Sequence, residues 1–213
     1  LEAGLPLRLQ NADHFVRAGD AARAVPSLRL AAEQAVERLA HREALEHVTT
    51  ALAMIDRIPD GPDRWSEELA LESMLGAAYI ATRGWSAPEA ETALIRAREL
   101  AGRLDGTDHL GRTLYRLGTL YEVRGEYERS EALIKRTLEV SGSNASSGLL
   151  TDSHELLACS LFHQGVFDHA LEHRQRHRTL VDHRIVKAPD VELRAQSGLR
   201  AVAQLDDLQL ADH

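Results

Sequence analysis

The chain has 213 residues, of which 44% are hydrophobic, 27% charged and only 4% aromatic, and its net charge is −8. No apolar run approaches the roughly 18 residues of a membrane span, no basic and then apolar leader opens the chain, and the acidic balance makes it a poor coat for a nucleic-acid backbone. The one cysteine, Cys159, excludes an intramolecular disulfide and fits a reducing, cytoplasmic setting.

Ala and Leu carry the apolar share, and both lose little entropy in a helix. In chain order, helical spacing predicts helices over about residues 8–18, 21–39, 42–57, 64–83, 88–104, 109–124, 127–141, 150–164, 167–183 and 190–206. Breakers separate them: Gly19-Asp20, "PDGPD" at 59–63, "GWSAP" at 84–88, "DGTD" at 105–108, Gly125, "SGSNASSG" at 141–148, Gly165 and "KAPD" at 187–190. Pro88 suits a first helical turn, and Asp108 and Asp190 read as N-caps. Nothing alternates with period two over a useful length, so no sheet is expected. Connections are short, which makes neighbouring helices antiparallel.

A repeat runs through this pattern. Leu75-Gly76-x-x-Tyr79 returns 42 residues later as Leu117-Gly118-x-x-Tyr121. Residues 111–144 match a helix-turn-helix unit of about 34 residues, the tetratricopeptide (TPR) pattern. Leu114, Leu117, Gly118 and Tyr121 occupy the first helix, Gly125 the turn, and Tyr127, Ser130, Ile134 and Thr137 the second. Residues 151–184 repeat it with Leu157, Ala158, Leu161, Gly165, Phe167 and Ala170. Units near 69–104 and 25–58 follow the same order, the latter through Leu28, Ala31, Ala32, Ala35, Ala44, Val48 and Ala51. Gly or Ala lets a partner helix approach, so these positions should be buried, Tyr79 and Tyr121 included. The expected fold is all-α: antiparallel hairpins stacked into a TPR-like right-handed superhelix, an α-solenoid of about nine or ten helices. Residues 1–213 read as one repeat domain, with 185–213 as a C-terminal capping helix or tail.

A narrower resemblance rests on "REALEHVTTALAMIDRIPDGPDR", "ELALESMLGAAYIATRGWSAPEAE" and "RARELAGRL" within residues 41–104. This stretch resembles the TPR region of large bacterial multidomain ATPase signalling proteins of the adenylate cyclase-like or transcription-regulator type. "FVRAGDAARAV" at 15–25 looks like the segment leading into such an array. The resemblance implies a fragment of a larger bacterial protein, starting here at Leu1, in which the array regulates an attached module by binding. It carries over no catalytic residue.

The residues themselves offer no chemistry to set beside that. There is no G-x-x-x-x-G-K-[ST] loop, no H-E-x-x-H pair and no G-x-S-x-G elbow, so no enzyme and no cofactor are expected. His169, His173 and His177 recur every four residues and share a helix face. Neutral imidazoles so spaced can ligate zinc, but Arg174, Arg176 and Arg178 repel a dication, and a cationic, partly exposed helix is the plainer reading. Trp65 and Trp85 are expected to cover inter-helix seams rather than anchor a partner, and Cys159 to be a small buried hydrophobe.

First helices of stacked hairpins line a concave face. Its predicted residues are Arg112, Tyr115, Thr119, Glu122 and Val123 in one unit, Asp152, Glu155, Cys159, Phe162 and His163 in the next, and Ala70, Ser73, Ala77, Ile80 and Ala81 in the unit before. This mixture suits a protein or peptide partner in a groove; the face is otherwise solvated or covered by a neighbouring domain of the same polypeptide. The expected function is a non-catalytic interaction scaffold, and the alternative is a small-molecule sensor that biases an attached ATPase or cyclase. Apolar end faces of an excised array also permit homo-oligomers.

Overall fold

The computed structural model describes residues 5–104, 107–142 and 146–187. Among these residues there are nine α-helices and no strand. They are α1 (Leu5–Ala18), α2 (Ala21–Glu37), α3 (His41–Leu52), α4 (Pro62–Arg83), α5 (Pro88–Ala101), α6 (Thr107–Val123), α7 (Tyr127–Ser141), α8 (Ser147–His163) and α9 (Phe167–Lys187). Four hairpins follow one another, α2/α3, α4/α5, α6/α7 and α8/α9, with α1 packed on α2.

The predicted elements and the observed helices agree closely, with three departures. The helix expected over 42–57 stops at Leu52, and a 3₁₀ turn covers Ile55–Arg57. Ile58 is extended, with ψ 136°, because Pro59 bars its predecessor from the helical region. Asp108 is not an N-cap: α6 already begins at Thr107, which places Asp108 inside the first turn. α8, expected from about residue 150, already begins at Ser147, and Ser146 caps it by accepting the Leu149 amide at 3.3 Å. The helix expected over 190–206, and its cap Asp190, lie outside the described residues.

One turn recurs. The Glu126 amide donates to the Tyr121 carbonyl at 2.8 Å, Val166 to Leu161 at 2.9 Å, and Ala40 to Ala35 at 2.8 Å. Each bond reaches back five residues and satisfies a carbonyl orphaned at a helix end. The residue before the donor is left-handed in each turn. Gly125 and Gly165 meet that need at φ 77° and 78°, but Leu39 does so at φ 59°, against the preference of any side chain with a Cβ.

The glycines inside helices serve a different end. A Cβ on Gly118 would lie 2.5 Å from Ile134 Cδ1, and one on Gly76 would lie 2.9 Å from Leu94 Cγ. Ile134 and Leu94 are fully buried on the second helix of each hairpin, so glycine is what lets the pair close. Leu117, Leu120 and Tyr121 are buried around it. Tyr79 is only partly covered, with the Arg83 guanidinium 4.9 Å from its ring centre. The core is a row of small clusters rather than one mass. One joins α1 to α4 around Val25, Leu28, Val48 and Leu71; others bridge α4 to α7, α4 to α6 and α6 to α9. Burial in steps along the chain is what a solenoid requires.

Candidate interaction groove

The first helices α2, α4 and α6 face one another across an open hollow of about 370 Å³. Arg29 stands on the α2 wall, Glu67, Ala70 and Ser73 on α4, and Arg112 and Arg116 on α6. The walls are charged because these residues lie on the side of each helix that faces away from its own hairpin partner. Arg29 is committed locally: its Nε donates to Glu67 at 2.8 Å, and it also pairs with Glu33. Arg116 is not. Among the described residues it has no carboxylate partner, only a long bond from Nη1 to the Ser73 carbonyl at 3.4 Å. Crowding by protein, and then the Arg112 charge, lower its pKa although its side chain still meets solvent. The α6 wall therefore presents one guanidinium, Arg116, with no carboxylate beside it among the described residues.

The predicted groove residues do not gather in one place. Arg112, with Ala70 and Ser73, lines the α4–α6 hollow. Tyr115 is half-buried at the α6–α8 junction, packed with Ile134, Leu157 and Leu161. Burial, aided by the nearby Asp152 and Glu155, raises its pKa. The Thr119 hydroxyl donates to the Tyr115 carbonyl at 3.0 Å. Glu122 is mostly enclosed between helices, accepting from Ser160 and lying 3.4 Å from His163 Nδ1. Val123 is exposed at the end of α6. Asp152 is exposed, and Glu155 lies 3.5 Å from His177 Nε2. His163 stacks on Tyr127 with ring centres 4.5 Å apart. Phe162 is exposed at the far end of the array, where half-buried Cys159 lines a separate apolar hollow rather than the core.

Arg29, Glu67 and Arg116 are groove residues that spacing alone did not single out. Arg116 sits one position from Tyr115 and four from Arg112, so the basic pair at i and i+4 on one helix face was the available signal. The histidine stripe is divided by the fold. His173 turns toward His154, with Nδ1 atoms 2.9 Å apart, His177 turns toward Glu155, and His169 is exposed. Burial, then the facing His173, pushes His154 down to about 4. Among the described residues no group of three or more His, Cys, Asp or Glu is placed to hold a metal ion. Trp65 lies along the seam of α4 with α5 and donates from Nε1 to Asp60 at 2.8 Å, while Trp85 is partly exposed at the α4–α5 turn.

No protein-family model matches the sequence, and no curated protein matches it significantly. Solved structures do match by shape. The crystal structure of MamA superposes with a TM-score of 0.59 at 15% identity, covering 86% of this chain and 97% of that one. A Podospora anserina putative kinesin light chain with nearly identical TPR-like repeats gives 0.53 at 19% identity, covering 84% and 96%. BtubC (BKLC) from P. vanneervenii gives 0.51 at 15% identity, covering 85% and 92%. At these identities the likeness is one of fold, and that fold is an all-helical, TPR-like α-solenoid.

Proposed function

We propose that the protein is a non-catalytic scaffold of the cytoplasm that binds a protein or peptide segment along the face lined by α2, α4, α6 and α8. The observation that carries this reading is the open α4–α6 hollow with Arg116 on its wall and no carboxylate partner for it among the described residues. Arg116 is exposed to a ligand, and a ligand carboxylate would supply the charged partner it lacks among the described residues. Arg112, Tyr115, Thr119, Glu122, Val123, Asp152, Glu155, Phe162 and His163 remain the proposed contact set, with Arg29, Glu67 and Arg116 added. Glu122 and His163 act within it by holding α8 in place.

The wider setting, residues 1–213 as one domain of a bacterial signalling or transcription-regulatory ATPase, rests on the resemblance of residues 41–104. No helix among the described residues is long and apolar enough to cross a membrane. The test is a peptide-display selection on the wild-type protein. Selected peptides should lose at least tenfold in affinity on Arg112→Glu or Arg116→Glu, and should be acidic. Unchanged affinity in both variants would remove the groove from the function. One observation favours a small-molecule effector as the second reading: about 370 Å³ is the size of a metabolite site. Saturable thermal stabilisation by a single metabolite, lost in Arg116→Glu, would select it.

A further inference from the structure

The α6/α7 and α8/α9 hairpins place equivalent residues forty positions apart. Over α6/α7 the outward positions are covered by α8. Its Ser160 donates to Glu122, His163 stacks on Tyr127, Gln164 Nε2 donates to Glu131 at 2.8 Å, and Leu157 and Leu161 share a buried cluster with Ile134. On α8/α9 the same positions hold Phe162, Phe167, Leu171 and Arg174. Phe162, Phe167 and Leu171 are 60%, 56% and 65% exposed, and the two phenyl rings meet edge to face with centres 5.5 Å apart. They surround a hollow of about 570 Å³. Arg174 carries the one guanidinium on its wall, is exposed, and pairs with no carboxylate among the described residues. A joint that is polar where α8 covers it is thus an apolar patch with an unpaired cation where no described helix lies over it.

We infer that this face docks an amphipathic helix of another polypeptide, and the contacts of α8 one joint earlier supply the pattern that helix must carry. It meets Arg174 at two positions four residues apart, as Leu157 and Leu161 meet Ile134. It meets Phe162, Phe167 and Leu171 three, six and seven residues after the first of these, as Ser160, His163 and Gln164 meet Glu122, Tyr127 and Glu131. These five positions lie on one side of a helix. The chemistry is inverted. Apolar residues belong at the three positions where α8 is polar, and acids at the two where α8 is apolar. The apolar side chains fill the hollow as a helix fills a groove, and an acid on Arg174 adds a charge-assisted bond that fixes register. The sequence after α9, taken at the same forty-residue interval, has Arg200 for Phe162, Gln204 for Leu171, and Ser197 and Ala201 for Arg174. In that register it carries the wrong chemistry, and the occupant is therefore assigned to another polypeptide. Phe167, Leu171 and Arg174 are no part of the α4–α6 hollow, so this inference stands apart from the groove.

The probe is a synthetic stapled helix with glutamate at the first position and four residues on, leucine three and seven residues on, and phenylalanine six residues on. Fluorescence anisotropy with the full chain should show saturable binding. Arg174→Glu should weaken it at least tenfold, and a peptide with lysines in place of the two glutamates should recover that loss, which a misfolded variant could not do. Leu171→Asp should also cost at least tenfold, whereas Arg116→Glu, in the α4–α6 hollow, should leave the affinity unchanged. Saturating peptide should slow thiol labelling of Cys159, which lines the docking hollow. Absence of binding would overturn the proposal, as would equal binding of a peptide with serine, histidine and glutamine at the three apolar positions. Loss in Arg116→Glu alone would place the peptide in the groove and overturn it too. A concentration-dependent dimer in sedimentation, abolished by Leu171→Asp, would assign the face to a second copy instead.

Discussion

The α4/α5 and α8/α9 hairpins share a plan but carry opposite ionisable loads. In α4/α5, Glu68 is buried and held by Arg96, whose Nε and Nη2 donate to it at 2.8 and 2.7 Å. Burial, and then the neighbouring Glu68, raise Glu72 to about 7. In α8/α9 the facing pair is His154 and His173, both lowered, each first by burial. One hairpin is therefore relieved by a proton and the other is burdened by it. Similar backbone packing leaves the charges at each seam free to differ, because the helices meet through a few small and apolar residues.

Four changes would break or sharpen this contrast. The largest effect is expected from Gly118→Ala. A methyl in the Gly118–Ile134 contact should cost about 1–3 kcal/mol by overpacking, more than the helix propensity gained. Urea denaturation would read it, and a neutral or stabilising result would refute close packing as the reason for glycine. The second is pH. The folded pKa of His154 lies below its unfolded value, so the unfolded chain takes the proton first, and stability present above about 6.5 is lost as pH falls towards 4. Glu72 has the opposite sign: its stabilisation is present below about 4.5 and is lost as pH rises through 7. Each is worth about 1–2 kcal/mol after solvent screening. Between pH 7 and 5, hydrogen exchange should quicken in α8/α9 relative to α4/α5, and His154→Gln should flatten the difference. Parallel behaviour of the two hairpins would dissolve the contrast.

Tyr121→Phe comes third. It removes the hydroxyl that donates to Glu91 Oε1 at 2.6 Å, where Arg124 Nη1 also donates to Oε2 at 2.5 Å. A loss of about 1 kcal/mol is expected in thermal melts. That bond, first among its causes, holds the Glu91 pKa down, so the variant should also lose part of its advantage of neutral over acid pH. The smallest change is Leu39→Gly. Leu39 is 77% exposed, so nothing is lost in packing, and relief of its left-handed backbone should add about 0.5–1 kcal/mol. A lower melting temperature would mean that the α2–α3 turn does not obey the rule of the later turns.

Much of this molecule could be read before its structure. The burial of Ala32, Val48, Leu117, Tyr121, Ile134, Thr137 and Leu157 follows from helical spacing and from one recurring small position. The groove was less legible. Arg112 reaches the hollow as expected, whereas Glu122 faces Ser160 and Phe162 faces outward. Glu122 and Phe162 share one repeat position forty residues apart; their surroundings differ because α8 packs over Glu122 while Phe162 lies on the last described hairpin.

Periodicity, turn glycines and the Leu-Gly-x-x-Tyr recurrence were local facts, and by themselves they determined helices, hairpins and a stacked all-α array. Helical period and close approach depend only on residues within one turn or one hairpin. The tertiary structure alone decided that Glu91 meets Arg124, that His173 meets His154 rather than its stripe-mates, and that Arg116 stands without a carboxylate among the described residues. Those pairings span 19 to 33 residues or depend on a partner's absence. They are set by the stagger and rotation between helices, to which the repeat pattern is blind.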